Sequence, residues 1–436
     1  MPITRFTAGL AAFALANALL VDLSLAHLPG RPQAITALHY TRATLRGVGG
    51  QDSWQPMRLA LSHLDSPQAA PVYQSLFFEG GVKFQYPTSS LLPLSALRAA
   101  FGPAALSDAV LNALSRAAFA ALAALVSLLL LRAAAESPAT ASRGPGDSAL
   151  RALCAALLVA TFYPLVRGVV LGQLQTWVDL LFTAVVLAWR GGRTVLAGAL
   201  AGLACALKPT LGLLGLWGLV RRHWGFTAAF SVSLGLLGIA SGLLYGFSHH
   251  ADYLRLLALV AERGESFQPN QSPNGLANRL LGNGDPLDWS PGALAPYHPV
   301  VHAATLAGGL ALAWLALGYR RAETRRAELE DLMLAALAAT VAAPIAWEHH
   351  YGIALPIFAV ALPRTLATAG GVRGGVVLLA LAYALVSHDV RALAELAGGP
   401  ASPLASYILA GALLLLVELV RLRRARHVAA VLGPPV

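Results

Sequence analysis

The sequence predicts an all-α polytopic membrane protein. Hydrophobic residues make up 57% of its 436 positions and charged residues only 12%. Mean hydropathy is +0.63, and the apolar stretches run at helix length instead of alternating as barrel strands do. In lipid only helices and closed barrels satisfy every backbone polar group, so these three observations exclude a soluble enzyme.

A crossing helix needs roughly 20 apolar residues. Runs near that length fall at 7–28, 113–132, 150–170, 174–189, 193–207, 209–220, 225–247, 300–318, 329–346, 350–364, 371–387 and 403–421, so about 12 spans are expected. Residues 7–28 are too long, and lack the small-residue cleavage site, for a signal peptide. No soluble domain or internal repeat is visible, and 1–436 reads as a single integral membrane unit.

The net charge of +10 is carried largely by arginines between spans, among them Arg5, Arg132, Arg143, Arg190, Arg221, Arg320, Arg321 and Arg421. This pattern is a topology signal and makes no case for nucleic acid. It puts both termini and a linker at 133–149 on the cytoplasmic side, with long outer loops at 29–112 and 248–298. The polar residues that are hard to explain as structure are then expected to gather at the outer face. Cys154 and Cys205 fall inside apolar runs and read as core.

The first outer loop holds the most informative stretch. Trp54, Met57, Leu61 and Leu64 recur at helical spacing opposite Arg58, Ser62 and His63, which predicts an amphipathic helix on the bilayer surface. Asp52 stands at the start of that helix, where an aspartate either caps it or acts as a base. Asp65 reads as a turn residue, and Asp22, near the outer end of the first span, is the rival carboxylate. Lys208 lies between two apolar runs beside Pro209, and an ammonium at membrane depth is paired, functional or snorkelling to the interface.

Trp347-Glu348-His349-His350 forms another outer turn. Adjacent helical histidines point about 100° apart and are poorly placed to share one metal ion; hydrogen bonding, phosphate contact or interfacial packing suits them better. Gly172-Gln173 opens a span, with Asp179 deeper in it wanting Lys208 or Arg167 as counter-charge. Asn270-Gln271-Ser272 and Arg279 belong to an amide-rich run suited either to sugar and phosphate or to an ordinary capped loop.

In this order, Asp52, Phe84-Gln85-Tyr86-Pro87, Gly172-Gln173, Ala206-Leu207-Lys208-Pro209, Asn270-Gln271-Ser272 with Arg279, and Trp347-Glu348-His349-His350 resemble the glycosyltransferase 87 family. The chain departs from the family pattern at Ser53-Trp54, Thr88 and Pro273. The resemblance implies a GT-C type membrane fold and inverting transfer of a hexose, with mannose the expected one. The donor would be a polyprenyl-phosphate-sugar and the acceptor a hydroxyl of a glycolipid or glycan. It implies Asp52 as general base, Lys208, Arg279, His349 and His350 at the donor phosphate, and Tyr86, Gln173, Asn270, Gln271, Trp347 and Glu348 as substrate contacts. No cofactor, no metal and no nucleotide-binding loop are expected, and the chain is expected to work as a monomer in the bilayer. A polytopic transporter or flippase of a lipid-linked or polar substrate is the alternative.

Overall fold

The structure is a computed structural model that describes residues 3–26, 37–66, 70–290, 294–319, 322, 324–367, 372–390, 393, 395–398 and 400–432. Among these the fold is helical, and its one β feature is an isolated antiparallel bridge between Asn270 and Trp347. The chain opens with α1 (Arg5–Ala26), α2 (Ala37–Leu45), α3 (Trp54–Leu64) and α4 (Leu92–Phe101). A continuous helical series follows: α5 (Asp108–Ala134), α6 (Pro145–Thr161), α7 (Tyr163–Leu171), α8 (Gln175–Arg190), α9 (Thr194–Leu207), α10 (Leu213–Val220) and α11 (Trp224–Tyr245). Then come α12 (Ser248–Arg263), α13 (Pro273–Leu280), α14 (Pro299–Leu317), α15 (Arg325–Ala342), α16 (Ala354–Ala367), α17 (Val372–Val386) and α18 (Tyr407–Leu432).

Among the described residues each expected span overlaps a helix, yet the helices are of unequal length. Among the described residues, Asp108–Ala134, Trp224–Tyr245, Pro299–Leu317 and Ser402–Arg424 are each long and apolar enough to cross a bilayer. A fifth crossing is available if α6 and α7, bent by 57°, count as one. Length and apolarity therefore qualify four or five helices where about twelve were expected. The break between α6 and α7 falls at Phe162, which is extended at φ −80° and ψ 103° just ahead of Pro164. A proline so close to a helix start is tolerated, because the first amides have no intrahelical partner.

The most enclosed helix is α15, buried from Leu329 to Val341. Its N-terminal half carries Glu330 and Asp331, which meet arginines from other helices. Arg221 Nε stands 2.6 Å from Asp331, Arg423 also pairs with Asp331, and Arg364 lies 3.1 Å from Glu330. A buried charge is tolerated when it is paired and hydrogen-bonded. The C-terminal end of α15 reaches a large cavity instead. Arg320 and Arg321, counted in the topology argument, lie outside the described residues.

Close packing of α9 on α11 follows from a small-residue repeat, Gly198-x-x-x-Gly202. A Cβ on Gly198 would lie 2.2 Å from the Phe226 carbonyl oxygen, and one on Gly202 2.4 Å from that of Phe230. The two backbones touch where α9 has no side chain to hold them apart.

One expectation is corrected here. Helix α3 is amphipathic as read, but Trp54, Met57 and Leu61, joined by Ala60, are buried in the protein core. Trp54 donates through Nε1 to Asn112 at 3.1 Å, and Arg58 pairs with Asp108 at 2.6 Å, both on α5. The apolar stripe is spent on the protein and is not offered to lipid. Asp65 ends α3 and is clamped by both Arg98 nitrogens at 2.6 and 2.8 Å.

Gly202→Val is expected to push α9 off α11 and to lower stability by about 1–3 kcal/mol, the usual cost of overpacking. Thermal unfolding in detergent checks it, with exposed Gly235→Ala as the unchanged control.

Candidate active site

Helix α7 ends at Gly172, which adopts the left-handed conformation at φ +70°. A Cβ here would also collide with the Gly50 carbonyl oxygen at 2.3 Å. Only glycine fits, for both reasons. Three backbone hydrogen bonds dock the loop on this helix end: Gly50 N to Val170 O at 2.7 Å, Asp52 N to Leu171 O at 3.0 Å and Ser53 N to Gly172 O at 3.2 Å. Asp52 is thereby held by its backbone beside the motif that opens α8.

The next residue, Gln173, is buried and uses its whole amide. Its Nε2 donates to Asp52 Oδ2, while its Oε1 accepts from Ser53 Oγ at 3.0 Å and from the Tyr86 hydroxyl at 3.2 Å. The Ser53 and Tyr86 hydroxyls are 2.7 Å apart, and the Leu174 amide donates to Ser53 Oγ at 2.9 Å. Asp52 caps no helix: Ser53 is the residue before α3, and its side chain caps nothing there either. The capping reading of Asp52 is thus corrected, because the carboxylate is turned to Gln173. Burial pushes the Asp52 carboxyl above its ordinary value; the Gln173 hydrogen bond and the charges of Arg167, Lys83 and Lys208 pull it partly back. The side chain of Asp22 lies outside the described residues.

Asp52, Tyr86 and Gln173 line one cavity of about 1170 Å³. It gathers Asp52, Tyr86, Gln173, Lys208, Trp347, Glu348, His349 and His350 from five separate stretches of chain. Lys208 donates to Gln175 Oε1 at 3.0 Å and lies 2.6 Å from His350 Nε2. Glu348 accepts from the Tyr163 hydroxyl at 2.6 Å. The rings of His349 and His350 meet edge to face at 4.7 Å. Among the described residues His349 Nε2 and His350 Nδ1 are buried with no hydrogen-bond partner.

Asn270, Gln271 and Arg279 do not line this cavity. Asn270 Nδ2 donates to the carbonyls of Glu265 and Pro344 at 2.9 and 3.0 Å, and its Oδ1 accepts from the Ala346 amide at 2.9 Å. Gln271 spends its amide on Gln268 O, Ala405 O and the Ile408 amide. Arg279 donates to the Ser266, Phe267 and Asn270 carbonyls and, at 2.7 Å, to Ser406 Oγ. Ser272 caps α13 through the Gly275 amide at 3.1 Å. The run is a capped, cross-braced loop whose polar atoms bond mainly to the protein's own backbone, with Arg279 also reaching Ser406 Oγ, so the expectation of substrate contact is not met at this cavity. What it supports is Glu265, whose carboxylate pairs with Lys83 and accepts from Trp347 Nε1 at 2.7 Å.

Several lining residues were missed. Lys83 sits 4.9 Å over the Trp347 ring and 5.3 Å over Trp289. Arg167, considered only as a partner for Asp179, lines the cavity and bonds the Tyr40 hydroxyl. The signal for Arg167 was present, as a lone charge inside an apolar run, the same cue that singled out Lys208. Lys83 adjoins Phe84-Gln85-Tyr86-Pro87 and shares its loop.

An apolar helical fold with a large, mostly apolar cavity into which a carboxylate and several cations converge defines an integral membrane protein with a chamber for an amphipathic ligand that carries charged or polar groups. The family model described as glycosyltransferase family 87 matches residues 84–346, more than half the chain. The chain belongs to glycosyltransferase family 87 and is a membrane glycosyltransferase. No curated protein and no solved structure matches it. Asp52 and Glu348 to His350 lie outside the matched range, so the cavity is what joins them to it.

Because Ser53, Tyr86 and Gln173 share one hydrogen-bonded cluster, their truncations are expected to be non-additive. In a double-mutant cycle Ser53→Ala with Tyr86→Phe should show a coupling of about 1 kcal/mol in unfolding free energy. Simple additivity would mean that the cluster is not a unit.

Proposed function

We propose that this protein transfers a hexose, mannose in our reading, from a polyprenyl-phosphate-sugar to a hydroxyl of a lipid or glycan acceptor. The observation that carries the reading is the Asp52 carboxylate, held by Gln173 on the same cavity wall system as Lys208, His349 and His350. Transfer is a single displacement with inversion. The acceptor oxygen attacks the anomeric carbon as Asp52 takes the hydroxyl proton, and the bond from that carbon to the phosphate oxygen breaks. Polyprenyl phosphate leaves with the bonding electrons.

A general base works best with a pKa moved toward the operating pH, and burial moves Asp52 in that direction. Negative charge grows on the departing phosphate, where preorganised donors are most effective. Lys208, His349 and His350 take that role, and Arg167 and Lys83 replace Arg279 in it. Tyr86 and Gln173 hold the base, and Trp347 and Glu348 face the sugar.

The reading includes a GT-C arrangement of about 12 spans with the cavity on the outer face and both termini cytoplasmic. It requires no metal and no cofactor, so transfer should persist in EDTA. The transporter reading has no observation in its favour once the family is known.

Asp52→Asn is expected to abolish transfer of radiolabelled mannose from polyprenyl-phosphate-mannose to a lipid extract, while Asp22→Asn stays active. Transfer by Asp52→Asn would remove the base from this scheme. The pH profile tests the same group. Asp52 acts deprotonated, so activity falls as pH drops through its raised pKa. Gln173→Leu removes the largest contribution that lowers this pKa, and the acid limb should move to higher pH. An unmoved limb would assign it to another group.

A further inference from the structure

Asp179 lies in α8, is 1% exposed and has no part in the scheme above. A direct ion pair with Lys208 is what its position in an apolar helix suggests. The hydrogen bonds run otherwise. Gln175 stands between the two, its Nε2 donating to Asp179 Oδ1 at 2.9 Å and its Oε1 accepting from Lys208 Nζ at 3.0 Å. Lys208 Nζ in turn lies 2.6 Å from His350 Nε2. The chain Asp179, Gln175, Lys208, His350 leads from the protein interior to the cavity, since Lys208 and His350 line it and Asp179 and Gln175 do not.

With Asp179 ionised and Lys208 charged, the direction of this chain is fixed by its ends. A carboxylate can only accept, so the Gln175 amide group must point its nitrogen at Asp179 and its oxygen at Lys208. A charged ammonium can only donate, so His350 Nε2 accepts and the ring proton sits on Nδ1. That Nδ1 is a buried atom without a hydrogen-bond partner among the described residues, a donor held ready for an acceptor. Asp179 also touches the turn that carries the histidines. A Cβ on Gly352 would lie 2.1 Å from Asp179 Oδ2, so the carboxylate rests against bare backbone of the segment Glu348–Ile353.

We propose that Asp179, acting through Gln175, is a positioning residue that keeps Lys208 charged and His350 in its Nδ1–H form, so that both present donors to an anionic phosphate oxygen in the cavity. The inference rests on the donor-phosphate reading above and names the buried device that prepares that subsite. A direct salt bridge would neutralise Lys208 and turn it inward. The neutral amide passes on the orientation and leaves the ammonium's charge facing the ligand. Asp52, Asp179, His349 and His350 are the titratable groups that act on Lys208 from the surrounding elements.

The test is binding of decaprenyl phosphate, without sugar, to the purified full chain in nanodiscs at a series of pH values. Wild type, Asp179→Asn and Gln175→Leu are compared, with thermal unfolding recorded for each. Asp179→Asn preserves the side chain's size beside Gly352, and Gln175→Leu keeps the carboxylate but cuts the link. Either variant is expected to bind about tenfold more weakly or worse, as when a hydrogen bond to a charged group is lost. For Asp179→Asn the loss of binding at alkaline pH should set in at lower pH, because its carboxylate favours the charged lysine. A packing role alone would lower the unfolding temperature without moving that limb. Folded variants that bind as wild type does, with the same pH profile, overturn the inference and leave the donor reading intact. A folded wild type that binds no lipid phosphate overturns both.

Discussion

The site depends on one contact, the docking of Gly50 to Ser53 on the end of α7. Gly172 makes it possible by taking a left-handed conformation that leaves room for the Gly50 carbonyl. The loop that brings Asp52 is otherwise long, and a long loop places a side chain poorly because its ordering entropy is spent over many residues. Three backbone hydrogen bonds and the Gln173 amide convert it into a fixed edge of the cavity. The asparagine at 112, bonded to both the Gly50 carbonyl and the Trp54 indole, ties the same edge to α5. A carboxylate that must meet an acceptor in a defined direction needs this kind of preorganisation.

The second support is the loop from Glu265 to Leu280. Its amides were read as candidates for sugar and its arginine for phosphate, and both are spent mainly on the protein's own backbone, with Ser406 Oγ as a further partner of Arg279. The outcome follows from burial: Asn270, Gln271, Ser272 and Asn278 are fully buried, and buried amides must find partners within the protein. In doing so they fix Glu265, and through it Trp347 and Lys83, which do reach the cavity. The motif serves the site at one remove.

Much of the helical pattern was legible, because apolar run length is a local property that residues 113–132 or 225–247 display without ambiguity. Which turns share one cavity was legible in part: Gly172-Gln173, Lys208 and Trp347 to His350 were grouped together and do meet, whereas Asn270, Gln271 and Arg279 were grouped with them and do not line the cavity. What the sequence hid is orientation. The stripe on α3 has the spacing of a lipid-facing helix and of a protein-facing one, and only Asn112 and Asp108 across the gap decide between them. Lys83 was hidden for another reason: a lysine in a loop is normally solvated, and its value here comes from two tryptophans more than 200 and 260 residues away in sequence.

The distribution of charge separates framework from chemistry. Away from the cavity, Arg151, Arg221 and Arg364 each meet a carboxylate directly, at 2.7, 2.6 and 3.1 Å. Such pairs offset their own desolvation and leave little field behind. In the cavity Lys83 still pairs directly with Glu265, but Lys208 breaks the pattern. Lys208 contacts an amide oxygen and an imidazole, both uncharged partners when the ring is neutral, and its nearest deep carboxylate stands behind Gln175. A cation solvated by neutral dipoles keeps its field, which is what binding an anion requires and what folding alone would not select. Asp52 shows the same arrangement with the sign reversed, its carboxylate gripped by a neutral amide while the cations stand off. Glutamine is the common device: Gln173 and Gln175, two residues apart at the start of α8, orient the cavity's carboxylate and its lysine without neutralising either.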